Sequence, residues 1–204
     1  MRINKKKFIY LISPNKVYPH FYQDLNEVLK TGKVSLFQLR LKKYSFKQKI
    51  IIGKKINQIC KKNGVKFLVN DDPILSKKLN ADGCHLGQKD MSLSEARKIV
   101  GNKIIGTTCH NSIKLAKGAI KENVSYIAFG AFFSTTTKKV KFKANIKILN
   151  KIKKLTKTPI VAIGGINFDN YKKLLLNNAN LLAISSYVWN NKKYKPLETI
   201  EKLK

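Results

Sequence analysis

Eight short runs of β-forming residues, evenly spaced along the chain, restrict its fold more than any other feature. They occupy 8–13, 35–40, 66–70, 83–87, 104–108, 126–130, 159–164 and 181–186. Successive runs start about 25 positions apart on average, the length of one strand-plus-helix unit. Between them lie stretches with helical periodicity. The clearest is 45–62, with Ile50, Ile51, Ile56 and Ile59 read as its apolar face, followed by 111–122, opened by Asn111 as cap and carrying Ile113, Leu115, Ala116 and Ile120. Further helices are expected at 20–30, 93–100, 145–155, 169–177 and 197–203. Eight such units predict an α/β protein: a (β/α)8 TIM barrel forming a single compact domain over residues 1–204. A doubly wound open sheet could hold eight strands but would not impose so regular a period.

Composition narrows the class. A 43% hydrophobic content suffices for a core, and no apolar run approaches the roughly 20 residues a membrane span requires. The basic start, residues 1–7, leads into only five apolar residues before Ser13-Pro14, so it reads as a lead-in to the first strand rather than a signal peptide. Three cysteines, Cys60, Cys84 and Cys109, give neither a disulfide framework nor a metal knuckle; they read as small core residues in a reducing, cytoplasmic setting. The net charge of +31 comes from 42 basic against 11 acidic residues, and only Arg2, Arg40 and Arg97 are arginine. Nucleic-acid sites gather charge on one face and use arginine for bidentate contacts. Here lysine runs from end to end, so no specific nucleic-acid partner is expected.

The scarce acids are not evenly spread: Asp71, Asp72, Asp82 and Asp90 fall within twenty positions. A bound cation would explain such a cluster. In a barrel of this kind chemistry sits at the C-terminal strand ends, and these are polar: Gln38, Arg40 and Lys42; Asn70-Asp71-Asp72; Gln88 and Asp90; Thr107-Thr108 and His110; Thr135 to Lys138; Gly164-Gly165; Ser185-Ser186. The last two pairs stand where barrels bind phosphate through backbone N–H groups. Asp71 and Asp90 follow neighbouring strands and could share Mg²⁺, which takes one or two carboxylates and completes its shell with water and substrate phosphate oxygens. Asp72, before Pro73, reads instead as a helix cap. His85 reads as a packed or hydrogen-bonded core histidine, and His110 is compatible with either a cap or an acid–base role. No Ser-His-Asp set, zinc spacing or Walker loop is present.

Five segments in order, Gln38-Leu-Arg40-Leu-Lys42, Asn70-Asp71, Ala81 to Asp90 (ADGCHLGQKD), Thr135-Thr136-Thr137-Lys138 and Ala162-Ile163-Gly164-Gly165-Ile166, resemble the thiamine-phosphate synthase family over nearly the whole chain. The resemblance implies a barrel enzyme that joins a hydroxymethylpyrimidine diphosphate to a thiazole phosphate. It implies that Gln38, Arg40, Lys42, Asn70, Thr108 and Lys138 hold the pyrimidine and its diphosphate, with Arg40, Lys42, Lys138 and Thr108 carrying the chemistry. It also implies Mg²⁺ on Asp71 and Asp90, and the thiazole phosphate on Thr135, Thr137, Gly165, Ile184 and Ser185. Partners are thus small phosphorylated substrates, with no membrane. The chain departs from the family at Lys89, where an acid is frequent, at Ala131, where proline is usual, and at Thr108, where serine is usual. The segment 139–143 has no glycine. Two other functions compete: a thiazole tautomerase of the same superfamily, with His110 as acid–base group, and a basic nucleic-acid-binding protein. The first has no use for Asn70, Asp71, Asp90, Arg40, Lys42 and Lys138 together; the second conflicts with the even spread of lysine.

Overall fold

In the computed structural model, residues 7–134 and 142–204 are described. Strands and helices alternate: β1 (Ile9–Ile12), α1 (Phe21–Lys30), β2 (Val34–Leu39), α2 (Phe46–Lys62), β3 (Lys66–Asn70), α3 (Pro73–Lys78), β4 (Gly83–Leu86), α4 (Leu93–Val100), β5 (Ile104–His110) and α5 (Ile113–Lys121). The order continues with β6 (Tyr126–Gly130), α6 (Lys147–Lys153), β7 (Ile160–Ile163), α7 (Tyr171–Leu176), β8 (Leu181–Ile184), α8 (Ser186–Trp189) and α9 (Pro196–Lys202). The strands form a closed parallel barrel in sequence order, β1 pairing with β8. This is the (β/α)8 architecture that the spacing predicts.

Strand alternation sorts the core into two layers. Tyr10, Ile12, Leu36, Leu68, Tyr126, Ala128, Val161, Leu181 and Ala183 fill the barrel interior. The residues of opposite parity, Ile9, Leu11, Phe37, Phe67, Val69 and Cys84 among them, pack outward against the helices. The three cysteines are buried and free, as expected. Gly106 on β5 is required by the interior layer: a Cβ there would lie 1.9 Å from Cζ of Tyr126, so only glycine lets that ring cross the barrel.

Two local expectations need correction. In α2, Ile51 is 61% exposed, while Gly53, Ile56, Asn57 and Cys60 are the buried residues; the helix turns its face one step from the reading based on isoleucine alone. The cap of α5 is Ser112, whose hydroxyl accepts from the Leu115 N–H, and Asn111 instead accepts from the Asn145 N–H. Other caps follow the sequence. Ser45 forms a capping box with Gln48, and Ser92 forms one with Glu95. Where β1 and β8 close the ring, Lys33 Nζ donates to the carbonyls of Ile200, Glu201 and Leu203, tying α9 to the turn before β2.

Candidate active site

Asp71 leaves β3 with φ 63°, a left-handed conformation that aspartate tolerates better than most residues, and its N–H is held by the His85 carbonyl at 2.8 Å. Its carboxylate lies 3.0 Å from Lys42 Nζ, beyond the end of β2. Asp90, in the loop after β4, accepts from the Gly87 N–H at 2.7 Å, and its carboxyl interacts with that of Asp71. Burial works to raise Asp71, but the interaction with Asp90 and the Lys42 ammonium outweigh it and hold the carboxyl below its ordinary range. Asp90 moves the other way: burial and the Asp71 charge raise it against the pull of the Gly87 N–H. Two neighbouring carboxylates, hard oxygen donors, form a set suited to Mg²⁺. Among the described residues no group of three or more His, Cys, Asp or Glu gathers, so an ion on this pair would have to complete its shell from water or substrate oxygens.

The acid cluster of the sequence therefore divides. Asp72 caps α3, accepting from the Leu75 N–H at 2.8 Å, as expected. Asp82 sits at the opposite end of the barrel, before β4, where it accepts from the Phe67 N–H and pairs with Lys66; it has no part in a shared cation site. Lys89 is exposed.

Arg40 follows β2, its N–H held by Ser13 Oγ and its guanidinium by Asn15 Oδ1 at 3.0 Å. Burial lowers its pKa, with the Asp71 charge acting against that shift. Asn70 ends β3 and pairs in register with His85. Across the mouth, Gly164 and Gly165 adopt φ 104° and 63°, and a Cβ on Gly165 would lie 2.1 Å from the Ser134 carbonyl. Glycine is needed there for the loop after β6 to approach the end of β7. Ile184 is buried at the end of β8, and the Ser185 hydroxyl donates to the Ser13 carbonyl. His110 closes β5 with φ 54° and its ring lies 4.3 Å from that of Phe142. Thr135, Thr137 and Lys138 lie outside the described residues.

Beneath the rim runs an arrangement that the sequence reading missed. Gln38 Nε2 donates to Tyr10 Oη; Tyr10 Oη bonds Tyr126 Oη at 2.8 Å; Tyr126 Oη bonds His85 Nδ1 at 2.9 Å; His85 Nε2 bonds Thr108 Oγ1 at 2.8 Å. Five strands thus contribute one polar chain across the barrel. His85 is buried, as expected of a hydrogen-bonded core histidine, and burial pushes its pKa down to about 4 against the pull of the Asp71 charge, so the imidazole is neutral at physiological pH. The signal was present in strand parity: Tyr10, Gln38, His85, Thr108 and Tyr126 all fall on inward positions, and Gly106 marks the space that a large ring must fill.

Comparison with known proteins bears on this geometry. The family model described as thiamine monophosphate synthase matches residues 9–188. A curated thiamine-phosphate synthase of Pelagibacter ubique is 66% identical over the full length of both chains. That of Erythrobacter litoralis is 40% identical over 89% of this chain and 87% of its own. A solved structure of thiamine phosphate pyrophosphorylase from Pyrococcus furiosus superposes with a TM-score of 0.84 at 29% identity, covering 98% of this chain and 95% of that one. A 3-hexulose-6-phosphate synthase of Salmonella typhimurium, at 15% identity and a TM-score of 0.70, shares the fold alone.

Proposed function

The chain belongs to the thiamine-phosphate synthase family, and from that premise we propose that it joins 4-amino-2-methyl-5-hydroxymethylpyrimidine diphosphate to 4-methyl-5-(2-phosphoethyl)thiazole, releasing pyrophosphate, or to the thiazole carboxylate, releasing pyrophosphate and CO2. The observation that carries this reading is the Asp71–Asp90 pair, flanked by Lys42 and Arg40, above a neutral buried floor. Charge is concentrated where a diphosphate would leave.

The bond between the pyrimidine methylene and the diphosphate oxygen breaks first, and the electron pair leaves with the diphosphate. Lys42 and Arg40 bind its oxygens and offset the charge that grows on them; Lys138 is assigned the same task. The thiazole nitrogen then donates its lone pair to the methylene carbon, forming the C–N bond and a cationic thiazolium ring. Because no covalent enzyme intermediate is needed, the rate comes from positioning and electrostatics. Gln38, Asn70 and Thr108 are assigned to the pyrimidine. Thr135, Thr137, Gly165, Ile184 and Ser185 are assigned to the thiazole phosphate, with Gly165 supplying backbone accessible to its oxygens. Asp71 and Asp90 would hold Mg²⁺, which when bound neutralises diphosphate charge.

A cytoplasmic setting belongs to this proposal. It is supported by the buried, unpaired cysteines and by phosphorylated substrates; among the described residues no helix is long and apolar enough to cross a membrane. The test is to incubate purified protein with both precursors and Mg²⁺ and to look for thiamine phosphate by mass. Full turnover in chelator would exclude the metal assignment, and absence of product with Mg²⁺ would exclude the reaction.

A further inference from the structure

We propose that the buried chain Gln38–Tyr10–Tyr126–His85–Thr108 is a polarity lock, which makes Gln38 present an acceptor to the pyrimidine so that an amino group is taken and a carbonyl in its place is refused. The inference rests on the proposed substrate and adds three positioning residues, Tyr10, Tyr126 and His85, that need not touch it.

The direction of the chain follows from where its hydrogens can sit. Gln38 uses its amide nitrogen to donate to Tyr10 Oη. Tyr10 then has one hydrogen, whose partner at 2.8 Å is Tyr126 Oη; Tyr126 has one hydrogen, whose partner at 2.9 Å is His85 Nδ1. A histidine accepting at Nδ1 carries its proton at Nε2, which points at Thr108 Oγ1 at 2.8 Å. Each hydrogen that links two members of the chain has one acceptor and all run in one sense, and the second Gln38 amide hydrogen and the Thr108 hydroxyl hydrogen are left for ligand acceptors. Were Nδ1 protonated instead, Tyr126 would have to donate back to Tyr10, which already accepts from Gln38, and the Tyr10 hydrogen would be stranded in the barrel interior, where Tyr10 is 1% exposed.

At the other end, Asn57 Oδ1 and Tyr187 Oη are the buried polar side-chain atoms without a partner among the described residues. Gln38 Oε1 is not among them and receives no hydrogen bond from a described residue, so it is the acceptor that this end of the chain leaves for a ligand. A ligand amino group satisfies it; a carbonyl sets two acceptors face to face. The amide cannot turn over to donate unless the hydrogens of all four partners reverse together. A 4-oxo analogue of the pyrimidine diphosphate should accordingly be rejected far more strongly than its size warrants.

Two measurements test this. In ¹⁵N NMR of the unliganded protein, which has only three histidines, His85 should be the neutral Nε2–H tautomer. An Nδ1–H tautomer reverses the chain and overturns the proposal. In kinetics, the ratio of kcat/KM for the 4-amino over the 4-oxo pyrimidine diphosphate should fall at least roughly tenfold in Tyr126→Phe and in Tyr10→Phe. The KM for thiazole phosphate should stay within about twofold, because that site lies across the mouth. A merely structural role would lower stability and leave the ratio alone; folded variants that keep wild-type discrimination overturn the proposal. Where a variant fails to fold, the tautomer decides. If wild type makes no thiamine phosphate at all, the functional reading falls while the tautomer still decides the polarity of the chain.

Discussion

Strand β3 carries an ion pair at each end. At its start, Lys66 meets Asp82 at 2.8 Å; beyond its end, Lys42 meets Asp71 at 3.0 Å. Chemically these are the same pair at nearly the same distance, and their surroundings make them different objects. Asp82 divides its oxygens between Lys66 and the Phe67 N–H, so it braces the segment before β4 against the start of β3. Asp71 stands in a left-handed turn with a second carboxyl against it. One end of the strand is satisfied; the other retains unmet charge that a cation and a diphosphate could complete. This is the general division of labour between the two faces of such barrels, with stability at the N-terminal face and chemistry at the C-terminal one.

The largest separation should appear in turnover. Asp71→Asn is expected to lower kcat by roughly 10²–10³, the scale of losing a principal electrostatic contact, whereas Asp82→Asn should leave kcat unchanged well below its melting point. Steady-state kinetics on the two variants side by side checks this; comparable losses would erase the distinction. Next comes Lys42→Ala, expected to cost about 10–100-fold in kcat/KM with the loss falling mainly on the pyrimidine diphosphate.

Stability should separate the two ends in opposite directions. Asp82→Ala leaves the Phe67 N–H without its acceptor and should destabilise by roughly 1–2 kcal/mol in urea titration. Asp90, by contrast, is raised in the folded protein. In metal-free buffer it therefore costs stability at neutral pH, and the cost shrinks as pH falls through the folded value and is gone below the unfolded one. Asp90→Asn should thus raise Tm at pH 7 in chelator while abolishing most activity, and the gain should shrink towards acid pH. For Asp71 the sign is reversed: its lowered value contributes stability at neutral pH that is lost as pH drops through it. The smallest effect belongs to Lys66→Ala. Its side chain is 60% exposed, and a change of at most about 1 kcal/mol is expected.

How much of this could be read beforehand depended on whether the signal was local. Strand–helix alternation repeats eight times, so errors at single boundaries did not disturb the architecture; β3 and β6 have the predicted ends, and α4 matches residue for residue. Asp72 was legible as a cap because the following Pro73 fixes the start of a helix. The cluster of four aspartates was misleading because sequence proximity spans a full strand: Asp82 and Asp90 lie at opposite ends of β4. Ile51 failed for a different reason, since apolar character alone cannot set the phase of a helix whose buried face includes a glycine and an asparagine. Tyr10 and Tyr126 looked like ordinary apolar strand residues, 116 positions apart, and only closure of the barrel brings their hydroxyls together.

Closure has a temporal side as well. Lys33 caps carbonyls on and just beyond α9 that lie as many as 170 positions downstream, and β1 completes its second edge only when β8 is in place. During synthesis the early strands must therefore wait, with β1 exposing an unpaired edge, until nearly the whole barrel has left the ribosome. The many lysines other than Lys42 and Lys138 would keep such half-built barrels apart by mutual repulsion over that interval.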